Sequence, residues 1–411
     1  MRSRPASEPA GPTVPEAVIR PPRLLFASAH CLLDPSSGAA LATRDLLALL
    51  AARGWACGAV TGPRLDFDRP PDLPVLLRRF GPAVDTRAGA GVAVHHLVHR
   101  GVPVSVVEPA GDDPGGFAAA LGRVTAAFRP DVVLTYGGGP YATVVTAAAR
   151  AANARVAFAV HNFAYPDRAF FRPYDAVLVP SEYARTHYRD RVGVEAVAAP
   201  PVWDWDRTAC DPSDGRFVTL VNPRPEKGVF VFARLAAELA ARRPDIPLLV
   251  VQGRGDVDWL GRAGVDLSHV RSVHRMANVP DPRAYLRLTR VLVAPSLWRE
   301  SFCRAAAEAM QNGIPVVAST RGALPETVGG AGVLLDIPDR YTSQTRVAPT
   351  AAEVAPWVDA VERLCTEPSR HDAVGGRCRV AARRWHPDVV VPVYEAVFRA
   401  AAGGLATGNS G

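Results

Sequence analysis

The sequence predicts an α/β protein made of two doubly wound, Rossmann-like domains that face each other. Short apolar runs alternate with longer amphipathic runs along the chain, which is the pattern of strands and helices in a parallel sheet. The alternation pauses once, at AAPPVWDWDRTACDPSDG (198–215), and restarts with RFVTLVNP. A chain of 411 residues also exceeds what one hydrophobic core usually organises. We therefore expect one domain on each side of this pause.

The predicted domains cover residues 21–205 and 206–385. The ends of the chain, 1–20 and 403–411, are rich in small residues and proline or glycine and are predicted to be disordered. In doubly wound sheets, ligands bind beyond the carboxyl ends of the strands, near the point where the strand order reverses. Motifs that follow a predicted strand are therefore the candidates for function.

Composition narrows the classes of function. The net charge is +7, but the basic residues are scattered, so a nucleic-acid partner is not expected. The six cysteines form no C-x-x-C pair, which argues against a structural zinc or a disulfide framework and predicts reduced, buried thiols. The sequence contains neither a membrane-length apolar run nor a signal-peptide pattern, and we expect a cytoplasmic protein. Of the 47 Lys and Arg residues only one is lysine, Lys227, and this suggests a requirement for an amine there.

The densest motif is PSLWRESFCRAAAEAMQNG, in which Glu300 and Glu308 are eight residues apart. A strand is predicted over 291–294 and a helix from about Phe302 to Asn312. Along a helix axis the two carboxylates would be about 12 Å apart. That is roughly the distance from the sugar to the ribose of a nucleotide diphosphate sugar, and each carboxylate can accept hydrogen bonds from two neighbouring hydroxyls. The alternative is an ordinary solvated helix face.

A second motif, LVNPRPEKGVF, places Lys227 between a predicted strand and the helix that follows it. An ammonium and a guanidinium, here Lys227 and Arg224, are suited to neutralise a departing nucleoside diphosphate. A surface turn with a solvated lysine is the alternative.

Two candidates lie in the first half of the chain. Gly38 precedes a predicted helix, and its alternative is an ordinary loop glycine. His161 closes the strand RVAFAV, and its alternative is a histidine satisfied in the core.

These motifs resemble those of the family 4 glycosyltransferases. PSLWRESFCRAAAEAMQNGIPVVAS matches the family pattern of Pro-Ser, Glu, seven residues, Glu and a Gly-x-Pro exit. STRGALPETVGGAG is similar to the Gly-Gly-Leu-Pro-Glu loop, with Ala323 in place of the second glycine. NPRPEKG is similar to the Gly-Arg-x-x-x-x-Lys-Gly element, except that Asn222 stands where the family has its arginine.

The resemblance implies the GT-B fold and a retaining transfer of sugar by front-face displacement. Residues 206–385 would bind the donor and 21–205 the acceptor, with a last helix, about 386–402, crossing back to the first domain. The resemblance places the diphosphate at Lys227 and Arg224, the sugar between Glu300 and His161, and the ribose at Glu308. It also implies donor contacts for a further set of residues: Gly38, Asn222, Gly228, Ser301, Phe302, Gly322 and Leu324.

The only cosubstrate implied is the nucleotide diphosphate sugar, without a cofactor or a metal. Three D-x-D triplets begin at Asp66, Asp204 and Asp256, but 40 acidic residues supply such triplets by chance. His95, His96 and His99 are expected on a solvated helix face rather than at a metal. The acceptor is left open as a small molecule, a glycan or a lipid-linked compound at a membrane surface, and the oligomeric state is left open as well.

Two other functions stay open at this point. A nucleotide-sugar epimerase of the same fold would convert the donor without any acceptor. A non-catalytic nucleotide-sugar binding module would bind the donor without turnover, although the presence of both glutamates and the lysine disfavours it.

Overall fold

The computed structural model describes residues 20–68, 70–80, 84–89, 92–109, 114–268, 270 and 272–403. The two tails that the sequence predicts to be disordered lie outside these ranges, except for Arg20 and Gly403. The described chain forms two sheets, one on each side of the pause at 198–215, with helices packed against both. This mixed α/β architecture confirms the predicted fold class.

The first sheet has nine strands in the order β3-β4-β5-β2-β1-β6-β7-β8-β9. From β5 to β9 its neighbours are parallel, and the strand order reverses between β1 and β6. Apolar residues dominate its central strands, which are covered by helices on both faces. The strands are β1 (Arg23–His30), β2 (Ala56–Arg64), β3 (Asp85–Gly89), β4 (Val92–His99), β5 (Val102–Pro109), β6 (Val132–Thr135), β7 (Arg155–Ala159), β8 (Ala176–Val179) and β9 (Val197–Ala198).

One edge of this sheet corrects two expectations. β3, β4 and β5 pair antiparallel, so the first sheet is mixed rather than wholly parallel. The histidines expected on a helix face, His95, His96 and His99, lie on β4 instead. β4 has the sequence VAVHHLVH and joins β5 through a two-residue turn at Arg100 and Gly101, both with positive φ. His95 is buried against Thr86 and Glu108.

The second sheet has six strands, all parallel, in the order β12-β11-β10-β13-β14-β15. Its order reverses between β10 and β13, so the loops after these two strands meet at one edge of the sheet. The strands are β10 (Phe217–Val221), β11 (Leu248–Val251), β12 (Val273–Met276), β13 (Thr289–Ala294), β14 (Val316–Ser319) and β15 (Val333–Leu335).

Helices connect the strands of both domains. Those that position the site are α1, which begins at Gly38, α7 after the Lys227 turn, and α9, which carries Glu308. The α-helices are α1 (Gly38–Ala52), α2 (Leu73–Arg78), α3 (Gly115–Phe128), α4 (Pro140–Ala151), α5 (Glu182–His187), α6 (Trp205–Thr208), α7 (Val229–Arg242), α8 (Arg283–Leu286), α9 (Arg304–Gln311), α10 (Leu324–Val328), α11 (Ala351–Thr366), α12 (Pro368–Ala382) and α13 (Pro387–Gly403). Short 3₁₀-helices occur at Arg168–Phe171, Pro225–Lys227, Val257–Arg262 and Arg383–Trp385, and a short π-helix occurs at Tyr188–Val192.

The last helix, α13, packs on the first domain. The Tyr394 hydroxyl donates to the carbonyl oxygens of Ala199 and Pro200, at 3.0 and 3.1 Å. The Trp55 indole donates to Glu395 at 2.9 Å. The chain thus leaves the second domain and covers the first.

Candidate active site between the two domains

A cavity of about 930 Å³ lies between the carboxyl edges of the two sheets. The loops after β1, β6 and β7 line it from the first domain, and the loops after β10, β11 and β13 line it from the second. Both sheets therefore contribute the edge at which doubly wound domains bind ligands. Of the predicted site residues, eight line the cavity: Gly38, His161, Asn222, Lys227, Glu300, Ser301, Phe302 and Glu308.

Lys227 and Glu300 form the central ion pair. The Lys227 ammonium donates to both carboxylate oxygens of Glu300, at 2.7 and 2.9 Å. The Ser296 hydroxyl donates to the same carboxylate at 2.7 Å. Burial opposes the charge on Lys227, but the Glu300 carboxylate outweighs it and raises the pKa of the amine. Lys227 is therefore a fixed positive charge on the cavity wall.

Gly228 permits this pair without touching the cavity itself. Its φ is +80°, and a Cβ built there would lie 1.9 Å from the Pro295 carbonyl oxygen. The turn before α7 therefore packs directly on the turn after β13. The Glu226 carbonyl oxygen accepts from the amides of Leu297 and Trp298, at 3.0 and 2.8 Å, and fixes the two turns together.

Gly322 and Leu324 also act from behind the cavity. At Gly322, with φ +63°, a Cβ would come within 2.3 Å of the Glu300 carbonyl oxygen, and the Ala323 amide donates to that same oxygen at 2.8 Å. Leu324 is fully buried at the start of α10. Through these contacts the loop predicted to approach the donor holds the backbone of Glu300 in place.

Glu308 faces the cavity from α9, one end of a chain of charges. Arg304 donates through Nε to Glu308 at 2.5 Å and through Nη2 to Asp45 of α1 at 2.6 Å. Burial raises the pKa of Glu308, although Arg304 opposes this effect. Glu308 is thus paired with an arginine that also joins the second domain to the first.

His161 stands on the opposite wall, where Tyr136 packs edge-on against its ring at 5.1 Å. Its Nε2 atom is buried and has no hydrogen-bond partner among the described residues. The His161 carbonyl oxygen accepts from the Ser301 hydroxyl at 2.7 Å, across the two domains. Burial lowers the pKa of His161 to about 4, and nearby Arg254 adds to that effect. A neutral imidazole therefore lines the same cavity as Glu300 near pH 7.

Gly38 and Phe302, two further lining residues, differ in their surroundings. Gly38 begins α1 with open space where a side chain would be, and the Ser37 hydroxyl caps the helix. Phe302 is almost fully buried against Trp385, with ring centroids 5.4 Å apart. Gly38 thus leaves room for a ligand at a helix N-terminus, and Phe302 packs the base of the cleft.

Arg224 and Asn222 lie differently from the predicted arrangement. Arg224 does not belong to the described residues that line the cavity. Its guanidinium instead pairs with Glu226 at 2.6 Å and with Asp68 of the first domain at 3.0 Å. Asn222 does line the cavity, and its side-chain oxygen accepts from the Gly255 amide at 3.0 Å.

The sequence interpretation missed Arg254, which lines the cavity from the loop after β11. Its Nη2 atom donates to Asp66 at 2.5 Å. The position of Arg254 directly behind the strand LLVV was the available signal, because loops at this edge of the sheet meet the ligand. Within the described parts of the chain, no group of three or more His, Cys, Asp or Glu side chains is arranged to hold a metal ion.

Comparison with known proteins fits this geometry. The family model for glycosyl transferases group 1 matches residues 215–348. This stretch contains the Lys227 turn, the Glu300 loop and α9. Residues 215–348 are a glycosyl transferases group 1 domain.

Among curated proteins, this chain is 33% identical over 187 residues to a phosphatidyl-myo-inositol mannosyltransferase of Mycolicibacterium smegmatis. The match covers 42% of this chain and 48% of that protein, so the chain spans about half the length of this relative.

Solved structures resemble the whole molecule around the glycosyl transferases group 1 domain. The sucrose-phosphate synthase of Thermosynechococcus elongatus superposes with a TM-score of 0.66 at 17% identity, covering 93% of this chain and all of that one. Anabaena HepE in complex with UDP and glucose gives 0.62 at 18% identity, covering 93% and 99%. The two-domain arrangement is the GT-B fold. In the described ranges, no helix has the length and apolarity needed to cross a membrane.

The histidine pKa values predict how stability depends on pH. The pKa of His161 is lowered to about 4, and burial together with Arg44 lowers that of His99 to about 4 as well. Between pH 4 and about 6.5 the unfolded chain binds protons at these histidines that the folded chain does not, so stability should rise with pH. Changing His161 to Gln should make this slope shallower by up to about 1.4 kcal/mol per pH unit.

Urea unfolding at pH 4.5, 5.5 and 6.5 measures this slope for the wild type and for His161→Gln. Between pH 7 and 8 the difference in unfolding free energy between the two proteins should stay constant, which is the internal control. Equal slopes below pH 6.5 would show that His161 is protonated in the folded protein as easily as in the unfolded one.

Proposed function

We propose that the protein is a retaining glycosyltransferase that moves a sugar from a nucleotide diphosphate sugar to an acceptor hydroxyl. The observation that carries this proposal is the Lys227–Glu300 pair at the edge of the second sheet, opposite the neutral His161 of the first. The cation suits a diphosphate, and the carboxylate and imidazole suit sugar hydroxyls. The donor would bind in residues 206–385 and the acceptor against 21–205.

The donor would extend from Glu300 toward Glu308. Glu300 lies in the loop between β13 and α9, and Glu308 follows on α9, so the two carboxylates line the same cavity from consecutive parts of one segment. Both carboxylates are occupied in the protein, Glu300 by Lys227 and Glu308 by Arg304. The hydroxyls of the donor would share these carboxylates, which keep free lone pairs for them.

In the proposed reaction the bond between the anomeric carbon and the β-phosphate oxygen breaks as the acceptor oxygen bonds from the same face. The acceptor proton passes to the departing phosphate oxygen. Lys227 stabilises the charge that this oxygen gains, and it does so without reorganising because Glu300 already holds it. His161 is uncharged near neutral pH, so it would help to orient the sugar rather than supply charge.

One relative is named for transfer to phosphatidyl-myo-inositol, so a lipid-linked acceptor at a membrane surface stands beside a small molecule or a glycan. All six cysteines are free thiols. Free thiols suit a reducing compartment, and we propose that the enzyme works in the cytoplasm.

A thermal-shift screen against UDP-, GDP-, ADP- and dTDP-sugars tests the proposal and identifies the donor. The donor that stabilises the protein is then incubated with acceptor panels, and the product anomer is determined. Transfer with the anomer of the donor supports a retaining enzyme. An epimer formed without acceptor, or binding without turnover on any panel, would contradict it.

Lys227→Ala is expected to lower turnover by on the order of a hundredfold or more, because the leaving group loses its positive partner. Initial rates at saturating donor measure this. Arg242→Ala is a matched control: it removes an exposed cation that pairs with Asp359 at the far end of α7. Unchanged turnover in Lys227→Ala would contradict the phosphate assignment.

Glu308→Gln should weaken binding of the donor and of the matching nucleoside by about tenfold, since a charged hydrogen-bond acceptor is lost at the ribose. Pyrophosphate, which lacks the ribose, serves as the control, and its affinity should change little. Isothermal titration calorimetry measures the affinities of the donor, the nucleoside and pyrophosphate. If nucleoside affinity is unaltered, the ribose binds elsewhere.

Turnover should persist after treatment with EDTA. Cationic side chains face the proposed diphosphate, and the carboxylates of Asp66 and Asp68 already pair with arginines. Rates before and after chelation, with readdition of Mg²⁺ or Mn²⁺ as the control, measure this. Activity that disappears and returns with the metal would restore the D-x-D triplets as candidate ligands.

A further inference from the structure

We propose that Arg254 is the second diphosphate-binding cation of this enzyme, and that Asp66 holds its guanidinium until a donor phosphate replaces that carboxylate. The inference rests on the proposed function and specifies how the same site meets the second phosphate charge. Lys227 lines the cavity, whereas Arg224 is not among its described lining residues and pairs with Glu226 and Asp68.

Arg254 lies where a second diphosphate-binding cation is needed. It follows β11, the neighbour of β10, so it stands at the same sheet edge as Lys227. It lines the cavity, and 37% of its side chain is exposed, which leaves it accessible to a ligand. Its charge acts on both Lys227 and His161. A ligand held between these two residues is therefore within the field of Arg254.

Asn222, which stands where the family has an arginine, contacts the loop that carries Arg254. Its side-chain oxygen accepts from the Gly255 amide at 3.0 Å. A Cβ on Gly253 would lie 2.9 Å from the Asn222 side chain, so the loop 253–255 packs directly against it. The residue at the expected arginine position thus supports the loop that presents Arg254. The cation therefore comes from the loop after the neighbouring strand β11, and Asn222 supports that loop.

Asp66 has the surroundings of a bound anion. Its carboxylate accepts from Arg254 at 2.5 Å and lies 3.5 Å from the His30 ring nitrogen. Arg254 also donates to the Ser37 hydroxyl, the N-cap of α1, at 3.3 Å. A cation, an imidazole and a helix N-terminus are a favourable set for a phosphate. A diphosphate carries more charge than one carboxylate, so it should displace Asp66 from Arg254.

The exchange would leave the domains connected. The Asp68 amide donates to the Arg254 carbonyl oxygen at 3.0 Å, and Asp68 pairs with Arg224. Neither contact uses the guanidinium of Arg254. The side chain of Arg254 can therefore turn to a phosphate while the backbone contact between the loops remains.

The test compares affinities for a nucleoside diphosphate and for the matching monophosphate. The probes are UDP, GDP, ADP and dTDP with their monophosphates, titrated by calorimetry into the 411-residue chain. In Arg254→Ala the ratio of diphosphate to monophosphate affinity should fall at least about tenfold, as expected for a lost charged hydrogen bond. Arg254→Lys should restore part of the ratio.

Two variants of the Asp66 loop complete the design. Asp68→Asn removes an ion pair between the same two loops without removing a cavity cation, and its ratio should stay within about twofold of the wild type. Asp66→Asn removes the competing carboxylate and should tighten diphosphate binding severalfold. Unchanged diphosphate affinity in Asp66→Asn would overturn the exchange.

Other outcomes overturn the assignment of Arg254. A wild-type ratio in Arg254→Ala together with a lowered ratio in Arg224→Ala would make Arg224 the second cation. Equal loss of both affinities in Arg254→Ala, with a lowered melting temperature, would mean that Arg254 only holds the domains together. If the wild type binds none of the eight nucleotides, the proposed function fails before the role of Arg254 is tested.

Discussion

The ion pair between Lys227 and Glu300 is the constraint on which the rest of the site depends. Taking an ammonium and a carboxylate partly out of water is unfavourable unless each finds a close partner, and here the lysine meets both oxygens of the glutamate. The pair can form only because the turn before α7 touches the turn after β13, which a side chain at Gly228 would prevent. The two loops at the reversal of the second sheet are therefore one unit, and any ligand of Lys227 is also a neighbour of Glu300.

The same principle explains why the cavity is neutralised by the protein itself. Each of its three central cations has a carboxylate partner: Lys227 with Glu300, Arg254 with Asp66, and Arg304 with Glu308 and Asp45. A cavity with these charges unpaired would carry a large desolvation and repulsion cost in the empty protein. An anionic ligand that binds these cations would therefore exchange one set of ion pairs for another, and its affinity would be the difference between the two sets.

The sequence predicted the fold class because it depends on local pattern. Strand–turn–helix rhythm, the Pro-Ser turn and the spacing of Glu300 and Glu308 are all visible in short windows, and the fold class is confirmed. The antiparallel β3–β5 edge was missed because β4 carries adjacent histidines that obscure the alternation. The direction of Arg224 and the role of Asp66 were missed for a different reason. Their partners are 156 and 188 residues away, and only the folded chain brings them together. The residue roles at the site stay predictions.

Several contacts between the domains involve residues that line the cavity. Ser301, next to Glu300, donates to the carbonyl oxygen of His161; Arg304, one turn from Glu308, pairs with Asp45; Arg254 pairs with Asp66. Each contact joins a residue of the donor side to one of the opposite wall. A ligand that takes over any of these polar groups therefore changes the free energy that holds the domains in this arrangement. The covering helix α13 packs on the first domain through other contacts, from Tyr394 to the Ala199 carbonyl oxygen and from Trp55 to Glu395. The proposed donor binding would thus be coupled to the domain arrangement through the same side chains.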